Sequence, residues 1–96
     1  MKSVKRVAQA GTLESSDIMI IVEPGTNGLR VDLESIVEKQ YGQAIRKTIT
    51  DTLKTLGITD LNVKAIDKGA LDYAIRARLV TALSRADIVQ RREDQP

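Results

Sequence analysis

A chain of 96 residues, 42% of them hydrophobic, is long enough for one two-layer core and too short for two. With no Phe, no Trp and 2 Tyr, that core has to be built from Ile, Leu, Val and Ala. The absence of His and Cys excludes an imidazole base, a thiolate nucleophile, a Cys/His zinc site and any disulfide, and a net charge of +2 is too small to imply nucleic acid or an acidic membrane.

The N-terminus, Met1-Lys2-Ser3-Val4-Lys5-Arg6, is basic but no apolar stretch follows it, and residues 1–3 are expected to be loose. Val4 to Ala10 reads either as a strand or as a loose arm. The longest apolar run is Ile18-Met19-Ile20-Ile21-Val22. It falls far below the ~20 apolar residues of a spanning helix and is not followed by a signal-peptide cleavage site. A soluble, cytoplasmic protein is expected. The run fits a strand covered on both faces or nearly so.

Leu29-Arg30-Val31-Asp32-Leu33-Glu34 alternates strictly, with Leu29, Val31 and Leu33 on one face. Between the two strands, Pro24-Gly25 and Asn27-Gly28 supply the fixed and positive φ values of tight turns, which predicts a β-hairpin. Ser35 followed by Glu38 reads as a capping box opening a helix. Val37, Tyr41, Ala44, Ile45, Ile49, Leu53 and Leu56 form its apolar stripe. Glu38, Lys39, Gln43, Arg46, Lys47, Asp51 and Lys54 are expected to face water, and Gly57 to end the helix. Gly42, inside it, costs about 1 kcal/mol relative to Ala.

Leu61-Asn62-Val63-Lys64-Ala65-Ile66 is a further strand, with Leu61, Val63 and Ala65 on one face. Asp67 is placed to cap a second helix starting between Lys68 and Ala70. Leu71, Ile75, Leu79, Ala82, Leu83 and Ala86 form its stripe, with Val89 as a further candidate. The end from Gln90 to Pro96 is expected to fray. The order β-β-α-β-α, with room for one more strand in front, predicts an α+β two-layer sandwich over 1–96 as a single domain: a small, mostly antiparallel sheet with two amphipathic helices on one face.

Little here carries catalysis. Asp32 and Glu34 share a strand's outer face and read as a solvated surface. Gly25-Thr26-Asn27-Gly28 suits a turn better than a phosphate loop. Lys68, Arg76, Arg78, Arg85, Arg91 and Arg92 outnumber Asp72 and Asp87 along the second helix and its continuation, so a phosphorylated ligand, RNA or an acidic partner is conceivable there. The shortage of stacking aromatics argues against RNA. Gly11-Thr12-Leu13-Glu14-Ser15-Ser16-Asp17 has the composition of a turn before a strand. Its serines lack a base at a defined spacing, so neither is a self-activated nucleophile; a second enzyme, bringing its own base, is still able to modify one.

Three blocks together resemble the acyl carrier protein subunit, the γ chain, of bacterial citrate lyase. Ala10-Gly11-Thr12-Leu13-Glu14-Ser15-Ser16-Asp17 is similar to that family's attachment segment. Val37-Glu38-Lys39-Gln40-Tyr41-Gly42-Gln43-Ala44-Ile45-Arg46 is similar to its first helix. Asp67-Lys68-Gly69-Ala70-Leu71-Asp72, continuing into Ile75-Arg76-Ala77-Arg78-Leu79, is similar to its other signature. The resemblance implies a covalent 2′-(5″-triphosphoribosyl)-3′-dephospho-coenzyme A on Ser15 through a phosphodiester. Ser16 stands where the family's pattern also accepts glycine, and Tyr73 where some members carry cysteine.

The implied role is non-catalytic. In the family's cycle the arm carries an acetyl thioester, the α subunit exchanges acetate for citrate, and the β subunit splits citryl-carrier to oxaloacetate and acetyl-carrier. A prosthetic-group transferase and an acetylating ligase are the further partners implied; nucleic acid, membrane and metal are not. Glu14 and Asp17 are expected to keep the Ser15 loop polar and open to the transferase, and Arg76 and Arg78 to meet the arm's phosphates or an acidic partner face. The rival readings are the small carrier subunit of malonate decarboxylase and, from a different class, a basic interaction or RNA-binding module.

Overall fold

A computed structural model describes residues 1–90. The elements run β1 (Lys2–Val4), β2 (Ala8–Gly11), β3 (Ile18–Glu23), β4 (Leu29–Ser35), α1 (Glu38–Thr55), β5 (Leu61–Asp67), α2 (Asp72–Ala86) and β6 (Ile88–Gln90). The main sheet has the order β2-β3-β5-β4, and β1 pairs with β6 in a separate two-stranded ribbon. Only β4 and β5 are parallel; the other pairs are antiparallel. The expected α+β layering is present, with both helices on one face of the main sheet.

The alternation of side chains explains the layering. Ile18, Ile20 and Val22 on β3 and Leu61, Val63 and Ala65 on β5 are buried together under the helices. Leu29, Val31 and Leu33 of β4 pack half-buried against the same core. From α1 come Ile45, Ile49 and Leu53, and from α2 come Ile75, Leu79, Ala82, Leu83 and Ala86. Met19 and Ile21 are only half-buried on the opposite face, so β3 is not covered on both sides as its apolar run suggests.

The predicted hairpin is corrected by β5. Chain direction does reverse between β3 and β4, but β5 pairs with both and lies between them. Residues 24–28 are therefore a crossing over the start of β5, not a tight turn. Gly25 permits the crossing: a Cβ there would stand 2.8 Å from the Leu61 amide nitrogen. Asp60 then fixes the far side, accepting the Gly28 N–H at 2.8 Å, while the Leu61 N–H donates to the Gly28 carbonyl at 3.0 Å.

Helix boundaries depart from expectation at their starts. Ser35 closes β4 rather than capping α1: its hydroxyl accepts the Val37 N–H at 3.1 Å and donates to Asp67 at 2.8 Å, while Glu38 pairs with Arg46. The hydroxyl spends its acceptor role on the Val37 N–H, two residues on, and its proton on the Asp67 carboxylate, so it reaches no N–H of the first turn of α1. Gly57 ends α1 as expected, at φ +74°, with its N–H on Lys54 and the Ile58 N–H on Leu53 in a Schellman closure. Asp67 sits before a loop instead of capping α2, which starts at Asp72 and stops at Asp87, short of Val89. Tyr41, Ala44 and Leu71, assigned to the buried stripes, are exposed, because the first turns of the two helices flank a groove rather than the core.

Of the two readings of Val4–Ala10 the strand holds, in two pieces, with β1 ending at Val4 and β2 starting at Ala8, and the end expected to be loose belongs to β1. Ser3 and Val4 are buried in β1, and Gln90 belongs to β6. The expected fraying over 91–96, with Arg91 and Arg92, lies outside the described residues. Among the described residues no helix is long and apolar enough to cross a membrane.

Candidate functional site

The segment between β2 and β3 forms a tight loop at one end of the sheet. Gly11, at φ +93°, opens it; a Cβ there would lie 1.8 Å from the Ile18 carbonyl oxygen, so no other residue fits. Thr12 then holds the loop from inside. Its hydroxyl accepts the Glu14 N–H at 3.2 Å and donates to the Asp17 carboxylate at 2.7 Å. The Asp17 N–H closes a turn onto the Glu14 carbonyl at 3.2 Å, leaving Ser15 and Ser16 as the two central residues.

Ser16 has φ +67°, the left-handed region where glycine rests without strain. That backbone is the physical reason a glycine is acceptable at this position. Ser15 carries no such constraint. Its side chain is exposed, and no described residue hydrogen-bonds its hydroxyl.

Asp17 is the base of the loop and not part of its exposed tip, contrary to expectation. It accepts the Ile18 N–H at 2.8 Å and a two-point contact from Arg78, at 3.1 and 2.9 Å. Its side chain is 16% exposed. The Arg78 guanidinium, followed by the Thr12 hydroxyl, brings its carboxyl down to about 2. A carboxylate that weakly basic does not take a serine proton at neutral pH. Glu14, by contrast, projects into solvent beside Ser15.

The loop is stitched to the segment after β5. The Ser16 N–H donates to the Lys68 carbonyl and the Lys68 N–H to the Asp17 carbonyl, both at 2.8 Å. Asp67, buried, accepts from Ser35 and from the Gly69 and Ala70 N–H groups, so this connection is rigid. Beyond it opens a groove of about 630 Å³ between the first turns of α1 and α2, lined by Val37, Tyr41, Gly69, Leu71, Tyr73 and Arg76 among others.

Of the residues singled out by sequence, the structure brings Glu14, Ser15, Asp17 and Arg78 together. Arg76 and Arg78 point apart, since two helical residues are about 200° apart around the axis. Arg78 is engaged with Asp17, whereas Arg76 lies at the groove and pairs with no described residue. Thr12 and the Lys68 backbone were missed. The Thr12–Asp17 spacing signals a side-chain-closed loop, but nothing local signals Lys68. Among the described residues no acidic cluster is placed to hold a metal ion.

Residues 5–86 match the family described as "ACP: Malonate decarboxylase delta subunit (MdcD)". The chain is 53% identical over 83 residues to the citrate lyase acyl carrier protein of Halothermothrix orenii, covering 86% of this chain and 88% of the relative. It is 56% identical over 88 residues to that of Streptococcus mutans, covering 91% and 86%, and 52% identical over 91 residues to that of Lactobacillus acidophilus, covering 95% and 94%. A chain of the crystal structure of a Pseudomonas malonate decarboxylase hetero-tetramer in complex with malonate shares the fold. Its TM-score is 0.61 at 21% identity, over 90% of this chain and 94% of that one.

Proposed function

The chain belongs to the citrate lyase acyl carrier protein family, and from that premise we propose that it is the carrier subunit of a citrate lyase, with Ser15 as the covalent anchor of an arm delivered as 2′-(5″-triphosphoribosyl)-3′-dephospho-coenzyme A. One observation supports Ser15 over its neighbour: both hydroxyls are exposed and bonded to no described residue, but Ser16 is held at φ +67° with its N–H on the Lys68 carbonyl, whereas Ser15 sits unconstrained at the tip of the turn. A phosphodiester formed there projects away from the sheet and disturbs none of the loop's bonds. When bound, the group supplies a thiol that carries acetyl and citryl thioesters.

The protein's own part is presentation. The Ser15 oxygen forms the new bond to the phosphorus nearest the ribose, pyrophosphate leaves, and the hydroxyl proton passes to a base on the transferase. We assign that base to the partner: the chain has no His or Cys, and the Asp17 carboxylate, engaged by Arg78 and Thr12, is too weakly basic. Glu14, exposed next to the serine, is the acidic group available for the transferase to read. The rigid Asp67–Lys68 connection holds the anchor while a flexible arm samples the α and β subunits at effective concentrations of order mM. An acetylating ligase and a bacterial cytoplasm complete this reading.

Intact mass and peptide mapping of protein co-produced with its modifying enzymes test it. The expected result is an adduct on the Ser15 peptide, absent in Ser15→Ala and kept in Ser16→Ala. An adduct on Ser16 moves the anchor by one residue; no adduct, with enzymes active on a known carrier, removes the carrier reading. The malonate decarboxylase alternative is supported by the shared fold and is decided by activity with each set of α and β subunits.

A further inference from the structure

We infer that the groove between α1 and α2 holds the adenine ring of the arm, with Tyr41 and Tyr73 as its walls. The inference rests on the Ser15 reading above and assigns a second contact between the chain and the same group.

The first observation is an exposure that packing does not explain. The chain has 2 aromatic residues, and instead of entering the core both lie at this groove, Tyr41 57% and Tyr73 66% exposed. Leu71, also in the lining, is exposed as well. A volume of about 630 Å³ lies within the range of small-molecule sites. A mostly apolar lining that includes two aromatic rings suits a flat heteroaromatic ring better than an alkyl chain.

The second observation is continuity with the anchor. Lys68 bonds through its backbone to Ser16 and Asp17, and the next two residues, Gly69 and Ala70, line the groove. Two of the three segments that resemble the carrier family line the groove, the first turns of α1 and the 67–76 stretch, and the third, the anchor loop, is bonded to that stretch at Lys68.

Polarity and reach select the part of the arm. Arg76 at the rim has no described partner and matches a phosphate, while Asp72 offers an acceptor for an exocyclic amine. Asp67, buried, already accepts from Ser35, Gly69 and Ala70. The adenosine is one phosphoribosyl unit from the serine, whereas the thiol lies beyond the pyrophosphate and pantetheine. Docking the adenine shortens the free tether and leaves the thiol end able to travel. Because tethering gives effective concentrations of order mM, a dissociation constant of order mM in trans keeps the groove about half filled.

The test uses isotope-labelled protein loaded by its transferase, with loading verified by intact mass. Adenine H2 and H8 are expected to give nuclear Overhauser contacts to the Tyr41 and Tyr73 rings and to move from their positions in free dephospho-coenzyme A. In the double variant Tyr41→Ala, Tyr73→Ala these signals should be lost while the mass adduct and the sheet resonances stay unchanged. Adenine resonances at their free positions in the wild type, or unchanged between wild type and variant, overturn the inference. If Ser15 is not loaded, the anchor reading fails by itself. The groove is then decided by titrating free dephospho-coenzyme A into the unmodified chain. Saturable shifts at both tyrosines in the mM range support the groove, and their absence overturns it.

Discussion

Asp17 has both carboxylate oxygens engaged inside its own protein, and this decides what the loop around Ser15 is able to do. Its carboxyl lies at about 2 against an ordinary 3.8, mainly because Arg78 donates to both oxygens. A depressed carboxyl contributes stability that is fully present above its unfolded value and is lost as the pH falls through the folded one. Loop order should therefore persist down to about pH 4 and decline between about 4 and 2. In Arg78→Leu, a carbon-13 titration should find Asp17 moved up towards 3.8; a midpoint still near 2 would mean that Arg78 is not the cause. Gly11→Ala places a methyl 1.8 Å from the Ile18 oxygen, and urea unfolding should report a loss well above 1 kcal/mol. Ser3 is the opposite case: no described residue partners its buried hydroxyl, so Ser3→Ala should gain about 1 kcal/mol in the same assay. Ser15 could be singled out in sequence only by the resemblance of its segment to the carrier family's attachment segment, since its turn-forming neighbours alone fit an ordinary turn. The Asp17–Arg78 contact could not be, since the partners are 61 residues apart.

At the scale of elements, each helix protects one edge of the main sheet. Arg46 of α1 donates to the Val31 carbonyl on edge strand β4 at 3.0 Å, and Arg85 of α2 donates to the Gln9 carbonyl on the other edge strand, β2, at 2.9 Å. An uncapped edge invites pairing with another chain. Arg46→Leu with Arg85→Leu should therefore promote self-association, read by light scattering across a concentration series. Unchanged scattering would leave the two arginines as ordinary surface charges. In sequence Arg46 belongs to the wet face of α1, and its role emerges only because β4 lies beside that helix. Ser35 teaches the same lesson. Its spacing to Glu38 satisfies the capping-box pattern, yet its hydroxyl accepts from Val37 and donates to the distant Asp67, and α1 starts two residues later than that pattern implies. Gly57 keeps its predicted role because a left-handed helix terminator needs nothing from the rest of the chain.

The whole molecule is divided by its ends. Its longest extent is 43 Å. At one end lie the Ser15 loop, the groove and the starts of both helices; at the other, β1 and β6 pair and Lys2 bridges to Ile58 just past α1. Stability at the far end should be separable from presentation at the near one. Val4→Ala, which trims a buried side chain in β1, should cost about 1–3 kcal/mol in unfolding while loading at Ser15 proceeds at its wild-type rate. A parallel loss of loading would show that the ends are coupled. The α+β class, the apolar faces of the strands and the end of α1 were determined by sequence alone, because periodicity and backbone preference act within a few residues. Only the tertiary structure decided the insertion of β5 between β3 and β4, the pairing of β1 with β6, and the meeting of Asp17, Lys68 and Arg78 beneath Ser15. Each depends on which distant segment wins a hydrogen-bonding edge or a buried charge, and that competition is settled only when the whole core assembles.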